Sequence, residues 1–131
     1  MTKKDLVEVN KVQELNLELI SIASFNNFDG EQVVKDLLGH RDLWRGVVID
    51  RADYAQTASV ETINLIKLRD IANGYWNVDT LYILPEKGKE SELKAITATW
   101  GADEVDYESA EWSQRALGGG EEATILRVWW D

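Results

Sequence analysis

Leu15-Asn16-Leu17-Glu18-Leu19-Ile20-Ser21-Ile22-Ala23 is the stretch on which the fold turns. Leu15, Leu17 and Leu19 alternate with polar residues and run into Ile20 to Ala23, the pattern of a strand entering a core. Upstream, Asp5 to Lys11 fits either period: Val7 and Val9 alternate, whereas Leu6, Val9 and Val12 fit one face of a helix. Downstream, Ser24, Asn26, Asn27 and Asp29 form a polar connection. Asp29 with Gln32 has capping-box spacing and opens a helix carrying Val33, Val34, Leu37 and Leu38, which stops at Gly39. Gly46 to Ile49, bulky and β-branched and followed by Asp50, predicts a second, buried strand.

Thr57 or Ser59 caps a further helix over Val60 to Ala72, whose apolar positions wrap widely and whose end is marked by Asn73-Gly74. Val78 to Leu84 predicts a strand closed by Pro85, the only proline in the chain. Ser91 to Trp100 predicts a helix, with Leu93, Ile96 and Trp100 three and four apart and Gly101 as the stop. Ala102 to Tyr107 and Ala123 to Trp130 predict short strands, joined by a helical stretch from Ser109 to Leu117 and the loop Gly118-Gly119-Gly120. This alternation predicts a single-domain α/β sandwich over residues 1–131, with a mostly parallel, in part mixed, sheet of about five strands and helices packed on it. In that arrangement Leu17–Ala23, Val47–Asp50 and Thr80–Leu84 run parallel in one sheet beneath helices Gly30–Leu38 and Val60–Ala72.

Composition removes several kinds of chemistry. The chain of 131 residues has no cysteine, which excludes disulfides, zinc-thiolate sites, iron-sulfur clusters and thiol nucleophiles. The single histidine, His40, has no histidine partner for a metal and is expected near a helix end. A net charge of −10 argues against direct nucleic-acid binding and against docking on anionic lipid, because both depend on clustered lysine and arginine. The apolar runs are too short for a membrane span and the N-terminal residues lack a secretory pattern, so a cytoplasmic address is expected.

Three motifs match known signatures in letters only. Gly118, Gly120 and Ala123 fit the dinucleotide fingerprint, but they precede a strand, and Glu121 and Glu122 repel phosphate. His40-Arg41-Asp42-Leu43 resembles the start of the protein-kinase catalytic loop, yet Val47 stands where an asparagine belongs. Gly101-Ala102-Asp103 resembles a helix-to-strand turn of Rossmann-like dehydrogenase domains over a few residues and implies no cofactor.

Charge and tryptophan supply the functional hint. Residues 101–131 hold eight carboxylates against two arginines, together with Trp112, Trp129 and Trp130. Clustered carboxylates steer a cationic protein inward, and tryptophan supplies desolvated contact area. Trp44 and Trp100 are accounted for by packing, whereas Trp76 and Trp112 lack a packing reason. Strand alternation puts Trp130 with Leu126 and Val128, and Trp129 with Arg127. The expected function is an acidic protein-interaction module, of the kind used by small inhibitors, immunity proteins and anti-defence proteins, that occupies a basic site on a partner. The residues expected to bind are Trp76, Glu108, Glu111, Trp112, Glu121, Glu122, Arg127 and Trp129. The alternative is a small metal-dependent or ligand-binding protein with its site at the carboxyl ends of the strands, where Asp50, Asp53 and Asp106 would offer hard oxygen ligands.

Overall fold

The computed structural model describes residues 10–25, 27–51, 71–74, 78–117 and 123–131. Its first element overturns the reading of the opening stretch, because Lys11–Ile22 is an α-helix, α1, and not a strand. The Asn10 side chain caps it, accepting from the Gln13 N–H at 2.8 Å. Leu17 and Ile20 are fully buried, whereas Leu15 is 46% and Ile22 72% exposed. Burial therefore follows the helical period, and the alternation of Leu15, Leu17 and Leu19 has no structural counterpart.

A two-strand hairpin follows, β1 (Ser24–Phe25) with β2 (Phe28–Asp29), its Phe25 and Phe28 rings stacked 4.8 Å apart. Asp29 then caps α2 (Gly30–Gly39) by accepting from the Gln32 N–H, which is half of the expected capping box, while the Gln32 side chain turns to Asp36 instead. Gly30 lies where α1 and α2 touch, and a Cβ there would stand 2.0 Å from the Ile20 carbonyl oxygen. Only glycine allows so close an approach.

After a 3-10 turn at Arg41–Leu43 come β3 (Trp44–Asp50) and β4 (Thr80–Pro85). Helix α3 (Glu90–Thr97) runs into a second 3-10 turn, ended by Gly101 at φ +74, and β5 (Glu104–Tyr107), α4 (Ala110–Leu117) and β6 (Leu126–Trp129) complete the order. Of the helix predicted over Val60 to Ala72, only Ile71 and Ala72 are among the described residues, and both are helical.

Among the described residues the main sheet has four strands in the order β3-β4-β6-β5, and every neighbouring pair is antiparallel. The expected mostly parallel sheet of about five strands is thus corrected on two counts. Leu17–Ile22 is helical with Ala23 as its extended C-cap, and β3 and β4 pair antiparallel. One parallel relation survives without direct pairing: β4 and β5 both oppose β6, so the β4-α3-β5 crossover brackets an inserted strand.

Register sorts the side chains onto two faces. On one face Val47, Ile83, Leu126 and Tyr107 form a row, followed by Ile49, Leu81, Val128 and Val105. With Leu17, Ile20, Val33, Leu37, Trp44 and Leu93 these rows build the core. Trp130 is 1% exposed, and Phe25 and Phe28 meet its ring edge to face. The one-sided burial along β3 and β6 is what antiparallel sheets show, with polar residues between the apolar ones. No helix among the described residues is long and apolar enough to cross a membrane.

Candidate binding face

The second face of the sheet carries most of its polar and charged side chains. Its rows are Val48, Tyr82, Arg127 and Asp106, then Asp50, Thr80, Trp129 and Glu104. Strand alternation puts all eight there, opposite the core residues that flank them.

Arg127 is the centre of the acidic end. Its Nε donates to Glu108 Oε1 at 2.7 Å, and its Nη2 donates to Glu104 Oε2 at 3.0 Å. Burial pulls the guanidinium pKa down, but the hydrogen bonds and charges of Glu104 and Glu108 outweigh it, and the group stays above its ordinary value. One cation thus holds two carboxylates, and the remaining acid is uncompensated by it. Asp103, Glu104 and Asp106 are exposed along β5 and its lead-in, and Glu111 is exposed in the first turn of α4. Lys94 approaches Asp106 at 3.9 Å, both side chains about half exposed or more, which is a weak pair in water.

Aromatic surface lies beside the acid. The Trp112 ring stacks on Tyr82 at 5.6 Å with the planes 24° apart, so α4 rests against this face. The Tyr82 hydroxyl donates to the Arg51 carbonyl at 3.0 Å. Trp129 is half-buried, and its Nε1 reaches Asp79 Oδ2 at a long 3.4 Å, while Asp79 Oδ1 accepts from the Thr80 hydroxyl at 2.7 Å. An Asp131 N–H to Asp103 Oδ2 bond of 2.7 Å ties the residue after Trp130 to the start of β5.

Of the residues expected to bind, Glu108, Trp112, Arg127 and Trp129 come together around this face, and Glu111 lies on the same helix as Trp112. Trp112 is half-buried on Tyr82, so it is a packed element of the face and not a free-standing anchor. Trp76, Glu121, Glu122 and Asp53 lie outside the described residues. Asp50 and Asp106 belong to opposite edge strands, three spacings or at least about 14 Å apart, so they do not share an ion. Among the described residues no three histidine, cysteine or carboxylate side chains form a metal-binding group. His40 is exposed at the end of α2, and its neighbour Arg41 lays its guanidinium 4.1 Å over the buried Trp44 ring, which is a packing role.

No protein family, curated protein or solved structure matches this chain.

Sequence reasoning passed over Tyr82 and Glu104, and the signal for both was present. Tyr82 sits between Leu81 and Ile83, so period two puts it opposite the core, and Glu104 is in phase with Asp106.

Proposed function

We propose that this protein is an acidic protein-binding module whose second sheet face, at the β5 end, receives a basic site of a partner protein. The observation that supports the reading is the gathering of Glu104, Asp106 and Glu108 around Arg127 on one side of one sheet, with Trp129 opposite Glu104. The exposed carboxylates of Glu104 and Asp106 bias encounter toward cationic surfaces, and a half-buried tryptophan beside Glu104 supplies area that loses water on contact. Arg127 fixes the geometry, because it holds the two glutamates in place before any partner arrives. The resulting action is occupancy: a small acidic protein covers a cationic site and keeps that site from its usual anionic ligand.

Affinity capture with the wild type and with a Glu104→Gln, Asp106→Asn, Trp129→Ala variant tests the reading. The expected result is a basic protein retained by the wild type, released as salt rises, and missing from the variant eluate. Retention that is insensitive both to salt and to these substitutions refutes the assignment of this face.

A further inference from the structure

The two edges of the sheet are finished differently. In β3 the peptide groups of Val47 point away from β4, and the Gln13 side chain meets both of them. Its Oε1 accepts from the Val47 N–H at 2.9 Å, and its Nε2 donates to the Val47 carbonyl at 2.8 Å. A primary amide there does what a neighbouring strand would do, and it occupies the middle of that edge.

Among the described residues the β5 edge has no such cover. Glu108 N–H bonds the Ile125 carbonyl and the register pairs Asp106 with Arg127, so the even positions of β5 bond to β6. Val105 and Tyr107 therefore direct their N–H and C=O groups outward, and no described residue pairs with them. Side chains alternate along the same edge. Glu104 and Asp106, 49% and 66% exposed, stand on the second face, while Val105 and Tyr107 are half-buried on the core side. A second copy of this chain is a poor occupant, because like carboxylates would then face each other across the new pair.

We propose that β5 is a docking edge for an extended segment of the partner with lysine or arginine at alternate positions and apolar residues between them. This rests on the acidic-face reading and deepens it by naming the form in which the basic partner binds. The segment adds as a fifth strand: its backbone pairs with Val105 and Tyr107, its cations lie about 5 Å from Glu104 and Asp106, and its apolar side chains continue the rows that end at Val105 and Tyr107. Lys94 yields Asp106 readily, since their pairing is long and exposed. Glu104 stays anchored by Arg127, which presets the position of the charge.

The probe is a short capped peptide alternating lysine and valine, with two controls. One carries N-methyl groups on the amides that would face β5, and the other has the same composition with the lysines in one block. Binding is followed by amide nitrogen-proton spectra and hydrogen exchange of the full chain. The expected result is binding of the alternating peptide, slowed exchange at Val105 and Tyr107, and about tenfold or greater loss on N-methylation, since each removed bond leaves a carbonyl unpaired. Val105→Pro should reproduce the loss, because its N–H lies outside the β5–β6 ladder and proline is tolerated on a sheet edge. A thermal melt reports whether that variant folds. Equal binding of the N-methylated peptide, with spectral changes centred on Glu108 and Trp129, overturns the edge docking while leaving the acidic face intact. Failure of all three cationic peptides to bind overturns both.

Discussion

Replacing Gly30 by alanine tests the packing of α1 on α2 at its tightest point. The new Cβ would lie 2.0 Å from the Ile20 oxygen, about 1 Å inside the 3.0 Å that real contacts respect, and 3.0 Å from the Ala23 oxygen. Both are backbone atoms at the end of a helix, so neither can swing aside, and relief requires the two helices to part. Overpacking a well-filled contact costs about 1–3 kcal/mol, and backbone opposition puts this case at the upper end. The helix-propensity gain of alanine over glycine offsets less than about 1 kcal/mol of it. A net loss of about 2–3 kcal/mol lowers the melting midpoint by about 6–15 °C for a domain of this size. Gly39→Ala is the internal control: it changes the same residue type in the same helix, with nothing within 4 Å of its Cβ. It should leave stability unchanged or raise it by up to about 1 kcal/mol. Thermal and urea unfolding followed by circular dichroism measure both. If Gly30→Ala proves as stable as Gly39→Ala, the close approach of α2 to the Ile20 carbonyl is wrong, and with it the packing of the helical layer.

Three further outcomes follow from the same geometry. Trp130→Ala should cost about 3–5 kcal/mol in a denaturant melt, because its ring is buried on Phe25 and Phe28, whereas Trp129→Ala should cost distinctly less and weaken partner binding; equal losses of stability would show both rings to be core. Tyr107 is pushed up to about 12 by burial and then by the charge of Glu90, so the folded state keeps its proton after the unfolded chain, near 10.0, has lost it. Stability from this group is full below pH 10, declines as pH rises and is gone above about 12, so Tyr107→Phe should flatten the alkaline part of a stability profile; an unchanged slope refutes the burial of the hydroxyl. Gln13→Leu strips the Val47 peptide of both partners, which should cost about 1–3 kcal/mol and promote self-association through β3, read by sedimentation; a monomer of undiminished stability would deny the clasp its role.

How far the sequence was legible depends on whether local pattern and tertiary context agreed. The Asp29 cap, the stop at Gly101, and the strands at Val47 and Leu81 are local signals that the folded chain uses directly, whereas Gly39 is the last residue of its helix and His40 is the cap. Over Leu15 to Ala23 two local signals competed. The alternating leucines suggested a strand, whereas Asn10 three residues before Gln13 had the spacing of an N-cap, and the cap was the physical one. That single misreading created a strand-helix-strand start and hence a parallel sheet. Strand direction itself has no local code, although Arg45, Val48 and Asp50 outside and Val47 and Ile49 inside already showed one-sided burial. On the candidate face, Glu108, Arg127 and Trp129 were singled out because acid and tryptophan cluster in sequence, and pairing puts them on one side of the sheet. Tyr82 and Glu104 were passed over because they are brought in by pairing across strands.

The insertion of β6 between β4 and β5 constrains the order in which the molecule comes into being. β5 is made before β6 during synthesis, yet among the described residues β6 is its only sheet neighbour. Until residues 126–129 have emerged, β4 keeps a raw inner edge and the acidic strand has nothing to rest on, so a nascent chain exposes half a core. The long loop closures needed to seat the central strand last make this a slow step relative to helix formation. The β5 edge therefore takes shape in the same event that completes the sheet, and chains cut short before Leu126 should prove unstable and, under the proposed docking, unable to bind as well.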